Sequence, residues 1–112
     1  MPYAIDKRIA LGVNTSTSGD NSLIAAPGAG KYLAIDYFQF NPAGGAQTVI
    51  IKSGTTEKFR FTLDDNQAVT IENAIHDPEG IITCAMNEAF VLNLGASTAV
   101  TGYIKYRICE TG

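Results

Sequence analysis

Between Lys58 and Leu63 the chain alternates strictly, with Phe59, Phe61 and Leu63 apolar and Lys58, Arg60 and Thr62 polar. Successive side chains on a β-strand point to opposite faces, so this pattern describes a strand with one face in a core and one in water. The same period-two alternation recurs along the chain, and no strong helical spacing competes with it. Residues 3–13 read as a long first strand or arm, with Tyr3, Ile5, Ile9, Leu11 and Val13 on one side. Asn14 to Asp20 is small and polar and reads as a mobile loop at one end of the fold. Further strands are expected at Ser22–Ala26, Lys31–Asn41, Gln47–Lys52, Ala68–Glu72, Ile82–Ala85, Phe90–Leu94 and Val100–Ile108, with Gln47–Lys52 and Lys58–Leu63 forming a hairpin. Asn73–Gly80 is expected to be an irregular connection. Eight or nine short antiparallel strands, with turn signals about every 8–12 residues, predict an all-β fold: a single jelly-roll-like β-sandwich.

The chain has 112 residues, enough for one domain with one core, organised as an N-terminal strand or arm over 1–13 and a sandwich over 14–112. Lys31–Asn41 is the hardest strand to place. Leu33, Ile35 and Tyr37 share one side, but Phe38 and Phe40 fall on the other. Either a bulge near Asp36 switches the faces, or both sides are buried, and the second option would call for a partner.

Hydrophobic residues make up 46% of the chain and charged residues only 17%, which leaves a lightly charged surface suited to stable protein contacts. Eight basic residues against eleven acidic ones give a net charge of −3, with no basic run, so binding to nucleic acid is not expected. The apolar runs fall far short of the roughly 18–20 residues that cross a bilayer, and the N-terminus has no apolar signal core. No membrane association is expected, and the protein is placed in the cytosol of the cell that makes it. Cys84 and Cys109 lack metal-ligand spacing and are expected to be reduced thiols packed as small apolar groups.

Gly28-Ala29-Gly30-Lys31 superficially resembles a phosphate-binding loop, but position 25 is Ala25, the residue after the lysine is Tyr32, and a strand follows. It reads as a turn. His76-Asp77, with Glu72 and Glu79 nearby, is the one place where a base and carboxylates cluster in sequence, and no nucleophile turn accompanies it. Asp64-Asp65-Asn66 lacks the spaced oxygens of a calcium loop. No catalytic residue, cofactor or metal site is therefore assigned, and the expectation is a protein without enzymatic activity. The aromatic and apolar residues that a core does not need are the candidates for contact with a partner: Tyr3, Ile5, Ile9, Leu11, Tyr37, Phe38 and Tyr103.

Several segments together carry a resemblance: Pro27-Gly28-Ala29-Gly30-Lys31-Tyr32-Leu33, Val49-Ile50-Ile51-Lys52-Ser53-Gly54, Asn87-Glu88-Ala89-Phe90-Val91-Leu92-Asn93-Leu94 and Gly102-Tyr103-Ile104-Lys105-Tyr106. Over roughly residues 22–109 the chain resembles small β-sandwich virion proteins of tailed bacteriophages, of the head decoration or cement type. The resemblance implies a homotrimer on the virion that binds the major capsid protein or another virion protein and stabilises the head. An alternative expectation is a tail-fibre or receptor-binding module that uses exposed aromatics to hold cell-surface glycan.

Overall fold

The alternating segments become strands that pair into two antiparallel sheets. The computed structural model describes residues 2–4, 9–72 and 81–111. Among the described residues there are ten strand segments: β1 (Pro2–Ala4), β2 (Ile9–Thr15), β3 (Gly19–Ile24), β4 (Lys31–Ala43), β5 (Gln47–Ser53), β6 (Thr56–Leu63), β7 (Val69–Glu72), β8 (Ile82–Thr83), β9 (Phe90–Leu94) and β10 (Ala99–Thr111). In the first sheet β1 and β2 both lie along β10, which pairs with β4, and β4 carries β7 and β8 on its far side. The second sheet has the order β3-β9-β5-β6. Counting β1 and β2 together, since both lie beside β10, gives nine.

Setting aside the short β1 and β8, eight main strands remain. In chain order, the first, third, sixth and eighth share one sheet, and the second, fourth, fifth and seventh share the other. Every connection except the β5–β6 hairpin therefore crosses between sheets, which is the wrapping of a jelly roll. The core between the sheets is built from one face of each: Leu33, Ile35, Phe38 and Phe40 of β4 and Val100 and Ile104 of β10, against Val49 and Ile51 of β5 and Phe90, Leu92 and Leu94 of β9. Each such side chain contributes about 1.5–3 kcal/mol by leaving water.

The long strand β4 keeps its apolar residues inward by a bulge. Lys105 faces Tyr37 and Tyr106 faces Ile35, so Asp36 is the extra residue. The period shifts by one there, Leu33 and Ile35 before it and Phe38 and Phe40 after it reach the same core, and Phe38 leaves the set of contact candidates because it is fully buried. The opposite face of the N-terminal half is covered as well: Tyr32, Ala34 and Cys109 form a second, smaller buried cluster.

Of the strand or arm expected over 3–13, Pro2–Ala4 and Ile9–Thr15 are strands beside β10, and Ile5 lies outside the described residues. Two expectations need correction. The polar stretch 14–20 is mostly strand: β2 runs to Thr15, β3 starts at Gly19, and only Ser16–Ser18 connect them. The side chain of Asn21 holds this turn, donating to the carbonyls of Thr17, Gly19 and Leu92 and accepting from the Thr15 hydroxyl at 2.7 Å. Finally, Phe59 is not core. β6 is the outer strand of its sheet, so its inward face lacks a second neighbour; Phe59 is 40% exposed, Phe61 half-buried, and only Leu63 is buried.

Candidate interaction surface

The outer faces of the two sheets differ. On the β3-β9-β5-β6 sheet, Asp20 accepts from the Asn93 amide at 2.7 Å and from the Lys52 ammonium at 3.1 Å, and Arg60 pairs with Glu57 at 2.8 Å. The bond from Asn93, then that from Lys52, hold the Asp20 carboxyl below its ordinary range. That face is charged and internally paired.

The outer face of the other sheet is aromatic. Tyr103 of β10 sits directly opposite Gln39 of β4, and Lys105 opposite Tyr37, so the two tyrosines are diagonal neighbours on one face. Their rings stack with centroids 4.9 Å apart and planes 25° from parallel. The Lys105 ammonium stands 5.9 Å from the centre of the Tyr37 ring, within the range of a cation–π attraction. The hydrogen bond to Tyr103, with burial and then the charges of Tyr103 and Glu72 acting in the same direction, holds the Tyr37 phenol above its ordinary range. On the flank, β2 places Gly12 opposite Tyr103 and Ala10 opposite Lys105, and both small residues are exposed. The result is a plate of two stacked rings, 36% of Tyr103 open to solvent, bordered by residues too small to cover it. Such a plate offers ring area at low entropic cost to a protein surface or a sugar ring.

Of the contact candidates, the structure brings Tyr37 and Tyr103 together on this plate. Ile9 and Leu11 are half-buried on the inward side of β2, with Leu11 packed against the core. Tyr3 is on β1, opposite Glu110 of the same chain.

Sequence reasoning passed over two features. Beside the plate, Asp36 at the bulge and Arg107 on β10 form a two-pronged pair, Arg107 Nε and Nη2 donating to the carboxylate at 2.6 and 2.9 Å, with the carboxylate 3% and the guanidinium 12% exposed. An acid and a base 71 positions apart give no local signal in the sequence. The second is an aromatic path from core to surface, in which Phe40 stacks on Phe38 at 5.1 Å, Phe61 lies 6.0 Å from Phe38, and Phe59 stacks on Phe61 at 6.2 Å.

The motifs with possible chemistry fall into structural roles where they are described. Gly28 and Gly30 form the turn before β4, closed by Lys31 N–H donating to the Gly28 carbonyl and by the Asn87 side chain accepting from Gly28 N–H. Asp65 accepts from the backbone amides of Gly44 and Gly45, tying two turns together. Cys84 and Cys109 are buried and unbridged, and burial pushes the Cys84 thiol up. His76, Asp77 and Glu79 lie outside the described residues. Among the described residues no three His, Cys, Asp or Glu side chains gather as metal ligands, and no helix is long and apolar enough to cross a membrane.

No protein-family model matches the chain, and no curated protein matches it. Among solved structures, the chain is similar to one from Bacillus endospore appendages, described as a novel family of disulfide-linked pili. The similarity has a TM-score of 0.57 at 15% identity and covers 99% of this chain and 90% of the other. At that identity the likeness is one of fold, a small β protein of matching size.

Proposed function

We propose that this chain is a non-enzymatic structural subunit of a multi-copy protein assembly, and that its setting is the phage virion, where it decorates and stabilises the head. The observation that carries the reading is the Tyr37–Tyr103 plate: an exposed, stacked aromatic surface beside the small residues Ala10 and Gly12. Exposed aromatics on a sheet face are what a protein contact of this kind uses. The low charge content supports the same reading, since few charges have to be stripped of water on contact. The virion setting, the trimer and the capsid partner rest on the strand-and-turn resemblance. The fold likeness to a pilus subunit favours a second reading within the same class, a subunit of an extracellular filament.

The test is cryo-electron microscopy of purified particles together with binding of the recombinant chain to particles that lack it. Density for this sandwich on the head, with binding weakened at least tenfold by Tyr103→Ala, is the expected result. Its occurrence in a filament instead would select the second reading. Saturable binding to a glycan array, lost in Tyr103→Ala, together with no particle binding, would overturn both in favour of a receptor-binding module.

A further inference from the structure

A sheet edge presents unpaired N–H and C=O groups to any extended chain, and proteins blunt such edges with charge, proline, bulges or short strands. Among the described residues, three of the four edge regions are blunted. β6 carries Glu57, Lys58 and Arg60 and is bulged at Lys58, since Ile51 faces Phe59 while Lys52 faces Glu57. β3 carries Asp20 and is bulged at Leu23. β7 has four residues and ends on Glu72, and β8 beside it has two.

The fourth edge holds β1, three residues that include Pro2, and β2, and β2 has none of these devices. Its seven residues, Ile9-Ala10-Leu11-Gly12-Val13-Asn14-Thr15, contain no charge and no proline, and its register with β10 runs unbroken from Thr15 opposite Val100 to Ile9 opposite Tyr106. Among the described residues no strand pairs with its other side. Ala10, Gly12 and Asn14 are exposed, and a Cβ placed on Gly12 would meet nothing within 4 Å.

We propose that β2 pairs with β2 of a second copy of this chain, antiparallel about a two-fold axis at Gly12. This register uses all seven residues: Gly12 meets Gly12, Leu11 meets Val13, Ala10 meets Asn14 and Ile9 meets Thr15. Partners share parity, so the half-buried apolar residues of one copy continue those of the other, and the small residues meet on the outer face. No charge faces a like charge. The equivalent pairing of β6 about Phe59 would set Lys58 against Arg60, so the neutral edge is the one that accepts its own copy. Two six-stranded sheets then become one continuous sheet, with a Tyr37–Tyr103 plate on either side of the axis. A seven-residue strand pair buries less than a standard interface of about 800 Å² per partner, so the isolated contact is weak and gains strength from repetition in an assembly.

The inference rests on the reading of this chain as an assembly subunit and names one of its contacts. The test is sedimentation velocity of the full chain at concentrations from roughly micromolar to millimolar. Wild type is expected to form dimers as concentration rises. Gly12→Lys and Gly12→Glu, which leave the urea midpoint unchanged because the position is open, are each expected to weaken dimerisation at least tenfold. Mixing the two variants is expected to restore it as a heterodimer, because residue 12 of one copy then faces an opposite charge on the other. Ala10→Lys serves as a second disrupting variant. Association unaffected by Gly12→Lys and Ala10→Lys, or no recovery on mixing, overturns the β2 pairing while leaving an assembly through other surfaces intact. A wild type that stays monomeric and is absent from particles overturns both.

Discussion

Gly102 of β10 pairs with Phe40 of the neighbouring β4, at φ +149°, a backbone conformation that residues with side chains rarely adopt. A Cβ built there overlaps the carbonyl oxygen of Gln39 and lies 3.3 Å from Phe40 Cα, so the obstruction is backbone that cannot rotate away. Gly102→Ala is expected to cost about 3 kcal/mol or more, seen as a lowered urea midpoint. A loss below about 1 kcal/mol would mean that the strands can separate locally without harm. Cys84 gives a pH-dependent expectation. Burial raises its thiol pKa, so the folded state binds the proton more tightly than the unfolded chain does. That stability is fully present below the unfolded thiol value of about 8.5 and is lost as pH rises through the higher folded value. Wild type should therefore lose more stability between neutral and strongly alkaline pH than Cys84→Ala does, in paired urea melts. An equal loss in both would remove the linkage.

At the scale of the element, the bulge of β4 and the ion pair beside it work together. The extra residue at Asp36 shifts the strand's period, and the carboxylate placed there meets Arg107 from the neighbouring strand. Asp36→Ala leaves a guanidinium largely out of water without its carboxylate, which is expected to cost about 3–5 kcal/mol. The double variant Asp36→Ala with Arg107→Met should lose less than the sum of the two single changes, and strict additivity would show that the pair is not coupled. On β6, position along the edge decides the effect of truncation. Phe38→Ala in the core should cost about 3–5 kcal/mol, whereas Phe59→Ser should cost under about 1 kcal/mol, because Phe59 is already 40% exposed. If Phe59→Ser proved as damaging as Phe38→Ala, the aromatic path would be part of the core rather than its outlet.

At the scale of the whole molecule, the jelly-roll wrap explains why the informative surfaces lie on the β1/β2-β10-β4-β7/β8 sheet. Its outer face carries the tyrosine plate and its edge carries the unblunted β2, while the other sheet shows paired charges and bulged edges. Most strands were legible in the sequence, because period-two alternation is a local property and Leu33, Ile35, Phe90, Leu92 and Leu94 declare their inward face in any all-β sandwich; the polar ends of β2 and β3, which carry no apolar alternation, were not. The bulge near Asp36 was legible as one of two options, since a change of phase in the apolar pattern has few physical causes. Of the contact surface, the sequence offered Tyr37 and Tyr103 among the contact candidates but could not set them beside each other. What the sequence determined by itself is the all-β character, the hairpin of β5 and β6 and most of the core, all of which follow from side-chain alternation and turn chemistry. What only the tertiary structure decided is which strands are edges and which residues become diagonal neighbours. The exposure of Phe59, the stacking of Tyr37 on Tyr103 and the pairing of Asp36 with Arg107 depend on strand order and register, and these are set by contacts between residues far apart in the chain.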